Sequence, residues 1–229
     1  MASLTRQAAG PNPRKAADAG DRPERVLGID PAAAGATGYA VIEADPARRD
    51  AFRVLHYGAV RPARGASAAG RLESIHRLVA GLLEKFSPGA VAVETPFFAL
   101  NVKTALLLAE VRGVVLLAAE QGRVPVESYS PREIKASVAG HGNASKEQVQ
   151  VMVRAQLRME ELPRPFDAAD ALAVALCHIH SRRARVRLEA ALQPRGASPT
   201  PPRRVSAGGT NGNGRAAPQG PGHGRPHVR

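Results

Sequence analysis

Four acidic residues stand where a carboxylate needs a reason. Asp30 closes the apolar run Val26-Leu27-Gly28-Ile29, and Glu94 closes the run "AVAVE" that begins at Ala90. Asp167 and Asp170, in "FDAADALAVAL", are three apart at the start of a helical pattern, which puts them on one face. Singly, each has an ordinary structural role: an aspartate after a strand caps a turn, and one at a helix start meets the dipole favourably. As a set they demand more. If the two strands are neighbours, Asp30 and Glu94 meet at one rim of a sheet. Two carboxylates about 4 Å apart repel by on the order of 4 kcal/mol at an effective dielectric of 20, so four in one pocket require cations or protons. Acid-rich, oxygen-only sites suit hard ions such as Mg²⁺ or Mn²⁺, and no Cys/His spacing has the form of a zinc site. A pair of such ions serves phosphodiester hydrolysis, one activating water and the other stabilising the leaving oxygen.

The elements that must position these acids can be read from periodicity. Arg25–Asp30, Thr37–Glu43 and Phe52–Arg61 read as three strands joined tightly enough to be antiparallel. Ala68–Phe86 places Leu72, Ile75, Leu78, Val79, Leu82 and Leu83 at helical spacing. A short strand over Gly89–Glu94, a helix over Lys103–Gln121 and a strand over Val124–Ser128 follow. Helices are expected at Pro131–Val138, Lys146–Met159 and Asp167–Arg182. Two of these starts carry capping boxes: Ser130 with Glu133, and Ser145 with Gln148. Three antiparallel strands followed by α-β-α-β-α give an α/β domain with a mixed five-stranded sheet and helices on both faces.

At 229 residues and 44% hydrophobic, the chain can bury one core, filled by aliphatic side chains because aromatics are scarce. Residues 1–24 read as a flexible leader and 25–182 as the folded domain. Residues 183–229 read as a basic, low-complexity tail too poor in large apolar groups to offset its ordering entropy. The formal charge of +12 favours a polyanionic partner; six arginines and no acid fall between Pro194 and Arg229. The single cysteine, Cys177, between Leu176 and Ile179, reads as a buried apolar residue and fits a cytoplasmic protein. His178 and His180 read as packing or surface residues. The longest apolar stretch, Ala105–Ala119, is interrupted by Glu110 and Arg112, so no membrane association is expected.

The segments "LGIDPAAAGATGYAVI", "VAVETPFFALNVKTALLLAEVRGV", "YSPREIKASVAGHGNASKEQVQVMV" and "DAADALAVALCH", in this order and spacing, resemble the RuvC family of Holliday-junction resolvases over roughly Arg25 to His180. The resemblance implies a ribonuclease-H-like fold and a homodimer. It also implies a Mg²⁺-dependent endonuclease, with Mn²⁺ a possible substitute, that nicks opposed strands of four-way junction DNA in recombination and repair and leaves 5′-phosphate and 3′-hydroxyl ends. The family's four catalytic acids fall on Asp30, Glu94, Asp167 and Asp170, the set reached above from charge. Its base-stacking aromatic matches Phe97, and its two DNA-approaching basic positions match Lys135 and Lys146. A RuvAB-type branch-migration complex is the further partner it suggests. One departure stands out: Ala32-Ala33-Ala34 follow "IDP" where family members commonly have Gly and then a polar or basic residue.

The helix Lys103–Gln121 gives a separate hint of assembly, since Leu106, Leu107, Leu108, Val111, Val114, Val115, Leu116 and Leu117 leave almost no polar side. One face would pack on the sheet and another on a second copy, matching the two-fold character of a symmetrically cut junction. Other readings are a nuclease for RNA–DNA hybrids or flaps, and a silent junction-binding scaffold; the scaffold would need a broken acid set. A phosphotransferase of the actin-like type would need a second domain for which the chain is too short.

Overall fold

The run Glu24–Asp30 forms the central strand, β1, and the sheet grows outward from it on both sides. β2 (Thr37–Ala44) returns antiparallel to β1, and β3 (Phe52–Val60) returns antiparallel to β2 as one edge. After α1 (Ala68–Phe86) the chain re-enters the sheet as β4 (Ala90–Glu94), parallel to β1; after α2 (Val102–Gln121) it enters as β5 (Val126–Tyr129), parallel to β4. The order is β3-β2-β1-β4-β5, the mixed five-stranded sheet expected from the sequence. Three helices follow: α3 (Pro131–Ala139), α4 (Lys146–Gln156) and α5 (Phe166–Leu192). This computed structural model describes residues 23–192 except 34, 49, 64 and 96–101.

Because side chains alternate along a strand, the sheet sorts its residues into two cores. Leu27 and Ile29 of β1, Val41 of β2 and Val91 and Val93 of β4 pack with Ile75, Val79, Val111 and Val115 of α1 and α2. Val26, Ala40, Ile42 and Ala92 face the other way, against Ile134, Val149, Leu172 and Leu176 of α3, α4 and α5. Full burial of each Leu, Ile or Val contributes about 1.5–3 kcal/mol, so a one-residue slip of β1 would be strongly resisted. The even-numbered positions of β1 and β4 therefore belong to the α3, α4, α5 face. Asp30 and Glu94 are even-numbered.

The caps read from sequence are present. Ser130 accepts from the Glu133 amide while Glu133 reaches back to the Ser130 amide, and Ser145 and Gln148 do the same for α4. Some boundaries differ. α4 stops at Gln156 rather than Met159, because Arg158 turns into the left-handed region at φ 53°. β5 begins at Val126 rather than Val124, whose amide instead bonds to the Ala119 carbonyl at the end of α2. α5 continues to Leu192, ten residues past the expected end at Arg182, so helix occupies the start of what the sequence suggested was tail. Arg, Ala and Leu favour helix there, and no Gly or Pro intervenes before Pro194. The leader through residue 22 and the segment from Gln193 onward lie outside the described residues.

Candidate active site

The ladder between β1 and β4 pairs Val26 with Ala90 and continues to Ile29 with Val93, so the next step sets Asp30 beside Glu94 at the carboxyl ends of two parallel strands. That rim is where open α/β sheets place their ligand sites. On its other side Asp30 pairs with Gly38 of β2. Gly38 and Gly28 are what bring α5 in. A Cβ at Gly38 would overlap the Asp167 carbonyl, and one at Gly28 would overlap the Ala171 carbonyl and reach the Ala175 amide at 2.8 Å. With hydrogen in place of a side chain at both, the helix backbone lies directly on the sheet, and the first turn of α5 is held against the strand end that carries Asp30.

A pocket of about 210 Å³ results, lined by Asp30, Glu94, Asp170, Lys135 and Lys146, with Pro131, Ile134, Val149 and Ala173 as its apolar wall. Lys135 comes from α3, Lys146 from the first position of α4, and Asp170 from α5. The Lys146 ammonium donates to Asp170 Oδ2 at 3.0 Å. Asp167 sits at the edge: its charge acts on Asp30, yet it is not among the lining residues. Larger hollows of about 490 and 740 Å³ lie elsewhere. The first holds Glu43, already gripped by Arg25 and Arg53, and the second gathers no opposed acids. Chemistry, not size, singles out the smaller pocket.

The pocket resists its own negative charge. Burial, then repulsion from Glu94 and Asp170, pushes the Asp30 carboxyl up to about 8. Burial, then Asp170, pushes Glu94 up to about 7, with Lys146 and Lys135 pulling the other way. The bond to Asp170 in turn holds the Lys146 ammonium above its ordinary value. Among the described residues, no three carboxylate, imidazole or thiol groups are close enough to hold an ion between them. The acids converge on one pocket but do not close into a finished ligand cage. Their chemistry nonetheless fits a hard cation: the donors are all oxygen, and two are held in a protonation state that added positive charge would relieve.

Phe97 lies outside the described residues. His178 is buried and bonds Tyr129 Oη at 3.0 Å through Nδ1, and His180 is half-buried against Ser137 and Phe52, so both pack rather than ligate. Cys177 is buried and its thiol is pushed up by burial, as a packing residue would be. At the Ala32-Ala33 turn, Arg71 of α1 donates to the Ala33 carbonyl at 2.8 Å, tying the loop after Asp30 to a helix of the opposite layer. The sequence reading missed Gly28, Gly38 and Arg71. A glycine inside an apolar strand is the signal that could have found the first two.

Residues 26–178 match the family model described as crossover junction endodeoxyribonuclease RuvC. The enzyme of that name from Natranaerobius thermophilus is 45% identical over 163 residues, covering 71% of this chain and 99% of its own. The one from Moorella thermoacetica is 48% identical over 153 residues, covering 67% and 89%. Among solved structures, Thermus thermophilus RuvC in complex with Holliday junction substrate aligns with a TM-score of 0.67 at 39% identity, over 71% of this chain and 96% of that one. The yeast mitochondrial Holliday junction resolvase Ydc2, with a TM-score of 0.51 at 15% identity, shares the fold.

Proposed function

The chain belongs to the RuvC family of crossover junction endodeoxyribonucleases, and on that premise we propose that the pocket at the ends of β1 and β4 is its nuclease centre. The enzyme is a Holliday-junction resolvase that hydrolyses phosphodiester bonds of four-way DNA junctions. The observation that carries the assignment of the centre is the adjacency of Asp30 and Glu94 on paired parallel strands with Asp170 facing them from α5.

In this reading Asp30, Glu94, Asp167 and Asp170 together hold two Mg²⁺ ions, with Mn²⁺ able to replace them. Divalent ions bound there supply the charge that activates water and stabilises the leaving oxygen. The chain's own residues do the rest. Asp30 and Glu94, fixed by the sheet, set where negative charge is concentrated. Asp170, fixed on α5, faces them across the pocket, and Asp167, one turn earlier on the same helix, adds its charge from the edge. Lys135 and Lys146 attract the backbone phosphates beside the pocket. Phe97, three residues after Glu94 in sequence, stacks on a base at the opened branch point, a contact worth roughly 1–3 kcal/mol.

A homodimer completes the proposal. On α2, Val102, Leu106, Ala109, Gly113 and Leu117 recur every three or four residues on an exposed face, with Leu106 61% and Leu117 52% accessible, while Val111, Val115, Ala118 and Ala119 face the core. Two such stripes crossing at Gly113 would bury this apolar surface and present two acidic pockets related by a two-fold axis, giving paired symmetrical nicks. Work on chromosomal DNA alongside a RuvAB-type branch-migration complex in the cytoplasm fits this role. Among the described residues no helix is long and apolar enough to cross a membrane. The test is comparison of Mg²⁺-dependent cleavage on a synthetic four-way junction, a linear duplex and an RNA–DNA hybrid. The proposal expects the junction to be cut and the other two to be spared; preferential cutting of the hybrid would favour the ribonuclease reading.

A further inference from the structure

We propose that Lys146 is the resident counter-ion of the acidic pocket: it holds Asp170 in the metal-free protein, gives way when a divalent cation binds, and is then free to turn toward a DNA phosphate. This rests on the reading that the acids take a metal, and adds that one side chain couples metal loading to capture of the backbone.

Lys146 is the first residue of α4, immediately after the cap Ser145. The free amides of a helix start carry partial positive charge, so a cation in that position works against the helix. Glu147 beside it is the residue type that position favours. A lysine placed there against the dipole needs a compensating anion, and Asp170, from another helix 24 residues away, provides it at 3.0 Å. The same ammonium acts on Asp30 and Glu94, so it offsets the charge of three acids.

Mobility differs between the partners. The Lys146 side chain is 66% exposed, whereas that of Asp170 is 19% exposed, on a helix whose backbone is pressed onto Gly28. A movable cation thus meets a fixed anion. A divalent ion brings twice the charge in a smaller radius and competes for the Asp170 oxygen, after which the lysine has no reason to stay inward. Lys135 provides the internal comparison. It lines the same pocket and acts on Glu94, but among the described residues it makes no ion pair.

The test uses the full chain without DNA. Mg²⁺ is titrated by calorimetry into the unmodified protein and into Lys146→Met, Lys135→Met and Asp30→Asn. Lys146→Met should bind Mg²⁺ about threefold to tenfold more tightly, and Lys135→Met should gain less than about twofold. In parallel, the side-chain ammonium resonance of Lys146, identified by its loss in Lys146→Met, should be sharp without metal and lose that protection on Mg²⁺ saturation. Equal gains in the two lysine variants, weaker binding by Lys146→Met, or a resonance unmoved by Mg²⁺ would each overturn the counter-ion role while leaving the metal site standing. Binding by the unmodified protein no different from that by Asp30→Asn would bring down both.

Discussion

The carbonyl of Asp167 lies directly over Gly38, the residue that pairs with Asp30 across the β1–β2 ladder. This close approach is how an acid from the last helix reaches an acid from the first strand. The overlapping atom is backbone and cannot rotate away, so Gly38→Ala must lift α5. We expect a loss of about 1–3 kcal/mol in urea unfolding, with junction cleavage falling further than junction binding. Gly81→Ala, in mid-α1 with open space around it, is the control and should stabilise by about 0.5–1 kcal/mol. Equal behaviour of the two variants would show that the approach of α5 does not matter.

Asp30 and Glu94 give a pH signature. Both carboxyls are shifted upward, so the folded metal-free chain retains protons that the unfolded chain has released, and their contribution to stability falls as pH rises from about 4 toward about 8. Asp30→Asn removes the larger part of this. Without metal the variant should be more stable than the parent at pH 8, by on the order of 1–2 kcal/mol, with the gap closing toward pH 5. Added Mg²⁺ should stabilise the parent more at pH 8 than at pH 6. Urea midpoints across that range with chelator and with Mg²⁺ read both effects; a gap that widens on acidification contradicts them.

Much of this site is legible in the sequence itself. Asp30 and Glu94 announce themselves because each ends an apolar run too regular to be loop, and the capping boxes of Ser130 and Ser145 mark helix starts through local chemistry alone. What could not be read is which helices share a face with Asp30. Strand parity puts Gly28 and Asp30 on one side but does not say that α5 covers it. The pairing of Lys146 with Asp170 depends on that layer assignment and was out of reach for the same reason. The end of α5 was missed because burial stops at Ile179, beyond which the helix is tied down by polar contacts to partners far off in sequence, Arg182 to Glu24, Arg183 to the Asp45 carbonyl and Arg185 to Glu127, and an arginine-rich exposed helix resembles a tail in composition.

Lys135 and the C-terminal segment should separate local from diffuse electrostatics. Lys135→Ala should weaken junction binding on all sequences and lower the slope of log affinity against log salt by about 1. Deleting Pro194–Arg229 should spare cleavage and weaken affinity mainly at low salt. Deleting from Arg183 instead removes its bond to the Asp45 carbonyl and its contact over Phe52, and should also lower stability by about 1–2 kcal/mol. Filter-binding titrations at several salt concentrations, with unfolding curves, distinguish the three.

Leu117→Glu tests the α2 stripe. A charge in that apolar face should convert a dimer into a folded monomer, seen by sedimentation, with unfolding free energy per chain nearly unchanged and paired nicking lost. A variant that still sediments as a dimer would move the interface elsewhere.

Whether Asp30 belongs to the reacting centre or to the scaffold is decided by where, and whether, a junction is nicked without its carboxylate. The most direct measurement maps nicks on every arm of a mobile four-way junction, with and without Mg²⁺, for the parent and for Asp30→Asn at equal junction occupancy. Paired nicks in opposed strands are expected for the parent only with Mg²⁺, and none for Asp30→Asn despite full binding. Nicking by Asp30→Asn at the parent's rate would contradict a place for Asp30 in the reacting centre.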